Sequence, residues 1–254
     1  LTILAQPEFS PIATAVLQRV FGYSAFRGPQ AEIVAHVIAG GSALVLMPTG
    51  GGKSLCYQIP ALCRPGVGVV ISPLIALMQD QVEGLRQAGV HAAALHSALE
   101  IAEVAAVLRE LERGGLDLLY VSPERLLSPG FLERLEALPL ALFAIDEAHC
   151  VSQWGHDFRP DYRRLGALRR LCPGVPLVAL SATAAPQVRA DIIRMLQLRQ
   201  PLIQVRSARR INLHYAMERR PADPLPRLQE EVRAARGAVL IDRKSTRLNS
   251  SHRT

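Results

Sequence analysis

The stretch Ala43-Leu44-Val45-Leu46-Met47-Pro48-Thr49-Gly50-Gly51-Gly52-Lys53-Ser54 decides how the chain is read. An apolar run suited to a buried strand passes directly into three glycines, a lysine and a hydroxyl. Lacking Cβ, Gly50, Gly51 and Gly52 let the backbone curl so that successive N–H groups face one anion. A helix starting near Lys53 adds its positive end. The Lys53 ammonium is a compact charge suited to β and γ phosphates, and the Ser54 hydroxyl is suited to Mg²⁺. Residues 49–54 are therefore candidate nucleotide ligands. The chain has 29 Lys+Arg, and every basic residue before the C-terminal tail other than Lys53 is Arg, whose planar fork binds phosphate differently. A glycine turn joining a strand to a helix is the competing reading, and Met47 departs from the strict motif, which opens on Gly.

At 254 residues and 49% hydrophobic content, the chain can bury one substantial core and begin a second domain. No run approaches the roughly eighteen uninterrupted apolar residues of a membrane span, and the N-terminus carries no basic leader, so a cytoplasmic location is expected. Cys56, Cys63, Cys150 and Cys172 form no C-x-x-C pair, which argues for reduced, buried thiols over zinc or disulfides. The net charge of +7 arises entirely beyond Val205, because residues 1–205 hold 17 basic against 17 acidic groups. It is thus weak support for a nucleic-acid partner. Residues 242–254 are set aside: from Asp242 to His252 they match an in-frame translation of a common DNA-sequencing adapter. The natural chain is expected to continue past Ile241, and Leu1 reads as a cut end or an alternative start.

Apolar runs at 43–47, 67–71, 116–121, 140–145 and 176–180 alternate with helical periodicity at 54–63, 74–88, 99–113, 131–138, 160–172 and 186–196. This predicts β-α units around a mostly parallel sheet, with ligands at the carboxyl ends of the strands. Residues 1–205 form the first domain. Short strands at 202–205 and 211–217, a helix at 225–235 and a strand at 237–241 are expected to lead through a linker into a second one.

The run 140–145 ends in Asp146-Glu147-Ala148-His149. Two adjacent acids at the tip of a buried strand need a cation: Asp146 suits Mg²⁺ and Glu147 suits the attacking water. Capping of a following helix is the alternative. Leu177-Val178-Ala179-Leu180-Ser181-Ala182-Thr183 places two more hydroxyls beside this site, or caps the helix that Pro186 opens. Ser152-Gln153-Trp154-Gly155-His156-Asp157-Phe158-Arg159-Pro160 holds the only tryptophan in a polar loop. Trp154 either stacks on bases, at about 1–3 kcal/mol each, or anchors the loop on the core.

These motifs resemble the RecQ-type ATP-dependent DNA helicases of helicase superfamily 2. The resemblance spans about residues 21–241 and includes Phe26-Arg27-Gly28-Pro29-Gln30, Leu55-Cys56-Tyr57-Gln58-Ile59-Pro60-Ala61, Ser72-Pro73-Leu74-Ile75-Ala76-Leu77-Met78 and Ser122-Pro123-Glu124-Arg125-Leu126. Met47 is usual in that family. It implies an α/β, RecA-like P-loop NTPase lobe followed by the start of a second such lobe. It implies catalytic roles for Lys53, Asp146, Glu147 and His149, with Mg²⁺ on Ser54 and Asp146. ATP would meet Thr49, Gly50, Gly51, Gly52, Lys53 and Ser54, with Gln30 on the adenine edge and Tyr23 and Arg27 packed on the base; without the family, Gln30 reads as an exposed helix residue. Trp154, His156, Phe158, Arg159, Ser181 and Thr183 would couple DNA binding to hydrolysis, and Arg125 and Ser97 would touch the DNA backbone. The implied partner is single-stranded and partly duplex DNA at the bacterial nucleoid. An RNA-directed or duplex-translocating motor and a non-catalytic nucleotide-binding module are the rivals. His36, His91 and His96 receive no role.

Overall fold

Short apolar runs buried on both faces are stable only as interior strands covered by helices on each side. The computed structural model, which describes residues 11–154, 157–207 and 223–234, shows this arrangement. Strands β1 (Ala43–Leu46), β2 (Val67–Ile71), β3 (Ala92–Leu95), β4 (Leu118–Val121), β5 (Leu140–Ile145), β6 (Leu177–Ser181) and β7 (Leu202–Val205) form one sheet. Its order is β3-β4-β2-β5-β6-β1-β7, and every pairing is parallel. Helices α1 (Pro11–Phe21), α2 (Gln30–Ile38), α3 (Leu55–Cys63), α4 (Ile75–Gln87), α5 (Ile101–Glu112), α6 (Pro123–Leu126), α7 (Phe131–Glu136), α8 (Pro160–Arg164), α9 (Ala167–Leu171) and α10 (Pro186–Met195) connect the strands. The two-residue strand period sends alternate side chains to opposite faces. Leu44, Leu46, Phe143 and Ile145 join one core layer, while Ala43, Val45, Leu142 and Ala144 join the other.

The chain divides into two compact units, Leu1–Arg209 and Arg210–Thr254. In the second, the described residues form α11 (Leu225–Ala234). The expected strands at 211–217 and 237–241, and residues 242–254, lie outside the described residues. Among those described, no helix is long and apolar enough to cross a membrane.

Several elements differ from the sequence expectation. Strand β3 was not anticipated, because Ala92-Ala93-Ala94-Leu95 has little β-propensity; it forms by pairing with β4 at the edge of the sheet. The helix expected at 160–172 is broken into α8 and α9 around Leu165-Gly166. Gly166 passes so close to α10 that a Cβ would meet the Met195 carbonyl oxygen at 2.5 Å. Of the four thiols, Cys56 and Cys150 are buried as expected, whereas Cys63 and Cys172 are only partly so.

Gly166→Ala is expected to destabilise the first unit by about 1–3 kcal/mol, since a backbone oxygen cannot step aside as a side chain can. At Gly174 a Cβ meets nothing within 4 Å, and Gly174→Ala should stay within about 0.5 kcal/mol of the parent. Denaturant melts of both variants check the contrast.

Candidate nucleotide and nucleic-acid site

Parallel register brings the motif-bearing strand ends to one level. Leu46 pairs with Ser181, and Ile145 pairs with Ala179 on one side and Ile71 on the other. The loop after β1, the acids after β5 and the hydroxyls after β6 therefore leave neighbouring strands at the same end of the sheet, the edge where α/β folds hold ligands.

The glycine loop is tied down at its root, where Met47, fully buried, donates its N–H to the Ser181 carbonyl at 3.1 Å. Gly50 and Gly52 both sit at φ +79°, a region that other residues enter only with strain. A Cβ on Gly52 would also collide with the Gln30 amide. That amide donates to the Gly52 carbonyl at 3.1 Å while its oxygen accepts the Arg27 N–H at 2.8 Å. Gln30 is 2% exposed, so the reading as an exposed helix residue fails. The Arg27 guanidinium lies 5.7 Å from the centre of the Tyr23 ring. Tyr23, Arg27, Gln30 and the three glycines line one cavity of about 80 Å³. Lys53 Nζ donates to the Met47 carbonyl at 2.9 Å, and α3 begins at Leu55, just after Ser54.

Asp146 follows β5 and lines, with Ser54, a second cavity of about 30 Å³. Burial first, then the Glu147 carboxylate, push the Asp146 carboxyl up to about 6, against the pull of the Glu147 N–H, Lys53 and His149. A divalent cation would reverse that imbalance, and a carboxylate with a serine hydroxyl is a hard oxygen donor pair, so the residues fit Mg²⁺. Glu147 stands in the left-handed region at φ +48° and donates its N–H to Asp146 Oδ1 at 3.0 Å. Strain of this kind clusters at working sites. The 3-10 turn Ala148–Val151 that follows has no side-chain cap, so the capping alternative for the acids fails.

His149, almost fully buried, has its Nδ1 3.2 Å from Glu147 Oε2 and 3.0 Å from Ser181 Oγ. Ser181 donates its only hydrogen to the Thr183 carbonyl at 3.1 Å, so it accepts from a protonated Nδ1. With Ser181 so engaged and no side-chain cap on α10, the capping alternative fails here too. Glu147, His149, Ser181, Thr183 and Asp157 line a cavity of about 490 Å³ together with Pro73 and Leu74.

Trp154 is 70% exposed, which removes the core-anchor reading. The loop is held instead by buried Ser152, which donates to Asp191 Oδ2 at 2.7 Å and accepts the Trp154 N–H at 3.2 Å. Arg159 donates twice to Asp157 Oδ2, at 3.1 and 3.2 Å, and holds the Asp157 carboxyl below its ordinary range. Arg163 lies 5.9 Å from the Phe158 ring centre. His156 lies outside the described residues.

Sequence reading missed three tyrosines. Tyr162 donates to the Asp146 carbonyl at 2.9 Å, and Tyr57 and Tyr120 line the cavity that Ser54 and Asp146 share. Tyr57 lies in the quoted segment after the loop, whereas Tyr120 lies within an ordinary apolar run and carries no local signal. At the ends of β2, β3 and β4 the Ser72 hydroxyl, His96 Nδ1 and the Ser122 hydroxyl are buried without hydrogen-bond partners, as is Arg125 Nε. Ser97 is exposed beside them.

The Asp146 carboxyl holds its proton to a higher pH than in the unfolded chain, where its ordinary value is 3.8. Its stabilising contribution is complete below about 3.8 and is lost as pH rises through about 6. In metal-free buffer Asp146→Asn should therefore be more stable than the parent by about 1–3 kcal/mol at pH 8, with the difference vanishing near pH 4. Melts across that range check it.

The family model described as DEAD/DEAH box helicase matches residues 27–192. The ATP-dependent DNA helicase RecQ of Haemophilus influenzae is 45% identical over 227 residues, covering 89% of this chain and 36% of the relative. The ATP-dependent DNA helicase Q-like 4B of Arabidopsis thaliana is 48% identical over 205 residues, covering 78% of this chain and 18% of the relative. The chain thus spans about a third or less of these relatives' length. The crystal structure of the DUF1998 helicase MrfA superposes with a TM-score of 0.61 at 19% identity, covering 79% of this chain and 33% of that one, which shows a shared RecA-like fold. The chain belongs to the DEAD/DEAH box helicase family, and its likeness to RecQ helicases holds over most of its length.

Proposed function

We propose that this chain is the ATP-binding motor lobe of a RecQ-like DNA helicase that couples ATP hydrolysis to 3′→5′ movement on single-stranded DNA and unwinds duplexes in repair and recombination. The observation that carries the reading is the convergence of the glycine loop, the Asp146-Glu147 pair and the His149–Ser181 contact at one end of the sheet. The reaction is phosphoryl transfer to water. The amides of 50–54 cradle the phosphates, and Lys53 exchanges the Met47 carbonyl for β and γ oxygens. Ser54 and Asp146 would hold Mg²⁺, which would supply charge neutralisation for the phosphates. Glu147 orients the attacking water and accepts its proton; the contact to His149 fixes the carboxylate.

DNA would cross the strand ends that follow β3 and β4, which carry Ser97 and Arg125, and stack on Trp154. Arg159 hydrogen-bonds the Pro73 carbonyl at 3.4 Å, joining the Trp154 loop to that track. A second lobe would close the nucleotide cleft and add an arginine worth about 10³–10⁵ in rate. These 254 residues are therefore proposed to bind Mg·ATP weakly and to turn it over barely at all. The site of action is the cytoplasm, at the nucleoid.

In the protein carrying both lobes, single-stranded DNA should stimulate ATP hydrolysis. Glu147→Gln should lower kcat by about 10²–10⁴-fold with nucleotide affinity kept. Steady-state assays decide: an unchanged rate in Glu147→Gln points to a non-catalytic module, and equal stimulation by RNA or blunt duplex points to a different motor. Trp154→Ala should remove most of the stimulation while sparing basal turnover.

A further inference from the structure

Beneath the two acids runs a buried polar chain that the phosphate, water and DNA contacts above do not use. The Tyr57 hydroxyl of α3 lies 3.3 Å from the Tyr120 hydroxyl at the end of β4, and the rings meet edge to face with centroids 6.5 Å apart. Gln58 Nε2 donates to that Tyr120 hydroxyl at 3.0 Å and to Oε1 of Gln81, on α4, also at 3.0 Å. Tyr57, Gln58 and Tyr120 are each less than 5% exposed. Burying three polar side chains where apolar ones would pack is costly unless all are satisfied and the arrangement serves a purpose.

Two further observations show where the chain leads. Tyr57 donates its backbone N–H to the Ser54 carbonyl at 3.2 Å, which ties it to the end of the glycine loop. The cavity of about 30 Å³ that Ser54 and Asp146 share is also lined by Tyr57, Tyr120, Gln81 and Ser72. The Ser72 hydroxyl is buried and has no hydrogen-bond partner. A polar cavity of this size accommodates one water molecule, which needs two to four such groups around it. Ser72 opens the Ser72-Pro73-Leu74 turn that leads into α4, the helix carrying Gln81.

We propose that Tyr57, Tyr120, Gln58 and Gln81, with one water bound against Ser72, form a positioning network that holds Ser54 and Asp146 in metal-binding geometry. The same network transmits occupancy of that site to the 72–74 turn and α4. None of the four residues is a catalytic residue; each acts through Ser54, Asp146 or the turn. Outer groups that orient metal ligands commonly govern metal affinity in this way. The inference rests on the nucleotide reading above.

Tyr120→Phe removes one hydroxyl and keeps the ring, and Gln81→Leu cuts the far end at a partly exposed position that folding should tolerate. A fluorescent ATP analogue is titrated against the parent and both variants, once with Mg²⁺ and once with EDTA. Amide exchange of residues 72–81 is followed with and without Mg·nucleotide. In the parent, Mg²⁺ should tighten binding and slow exchange in 72–81. Tyr120→Phe should lose about 3–10-fold of the Mg²⁺-dependent gain, with affinity in EDTA within about twofold of the parent. Gln81→Leu should abolish the slowed exchange. An undiminished Mg²⁺ gain in folded Tyr120→Phe, its equal weakening with and without Mg²⁺, or slowed exchange kept in folded Gln81→Leu overturns the network. A parent that shows no Mg²⁺ gain overturns the nucleotide reading instead.

Discussion

A carboxylate taken partly out of water and placed beside a second carboxylate is unfavourable unless a cation faces it. Asp146 is in that position, pushed up to about 6, and the rest of the site is arranged around it. The sheet supplies the cure by topology. Because β5 and β6 fill the space between β1 and β2, the end of β5 opens towards the loop that carries Lys53 and Ser54. The same register sets Ser181 beside the root of that loop, where its carbonyl takes the Met47 N–H and its hydroxyl takes His149. One residue thus touches both the glycine loop and the acid turn. A one-residue slip of a strand would send every inward side chain outward, so the buried faces of the sheet enforce this alignment.

The glycine loop satisfies itself internally. Lys53 bonds the Met47 carbonyl, and Gln30 bonds the Gly52 carbonyl and the Arg27 N–H. Both groups would have to release these partners to meet a nucleotide. Each exchange trades one hydrogen bond for another, so it costs little in net terms. The Trp154 loop shows the same economy: Ser152 and Asp191 fix its base, while the ring stays in solvent.

Much of this was legible beforehand because the informative features are local. Periodicity located the strands that are buried on both faces, and the glycine loop, the Asp-Glu pair and the lone Trp each stand out within a few residues. The edge strand β3 was hidden, since its alanines take strand geometry only through pairing with β4. The break between α8 and α9 was hidden too, because it depends on the distant Met195 carbonyl touching Gly166. Tyr120 was illegible for the same reason: its partners Tyr57 and Gln58 lie 63 and 62 positions away. Sequence patterns report neighbours along the chain, and these features depend on neighbours across it.

The most direct measurement is a structure of the chain with Mg²⁺ and a non-hydrolysable ATP analogue. The account predicts a metal about 2.1 Å from the Ser54 hydroxyl oxygen, bound to Asp146 directly or through one water. It also predicts that Lys53 Nζ has left the Met47 carbonyl for the β and γ phosphates. A nucleotide seated elsewhere, or seated here with Lys53 still on Met47 and no metal between Ser54 and Asp146, would contradict it.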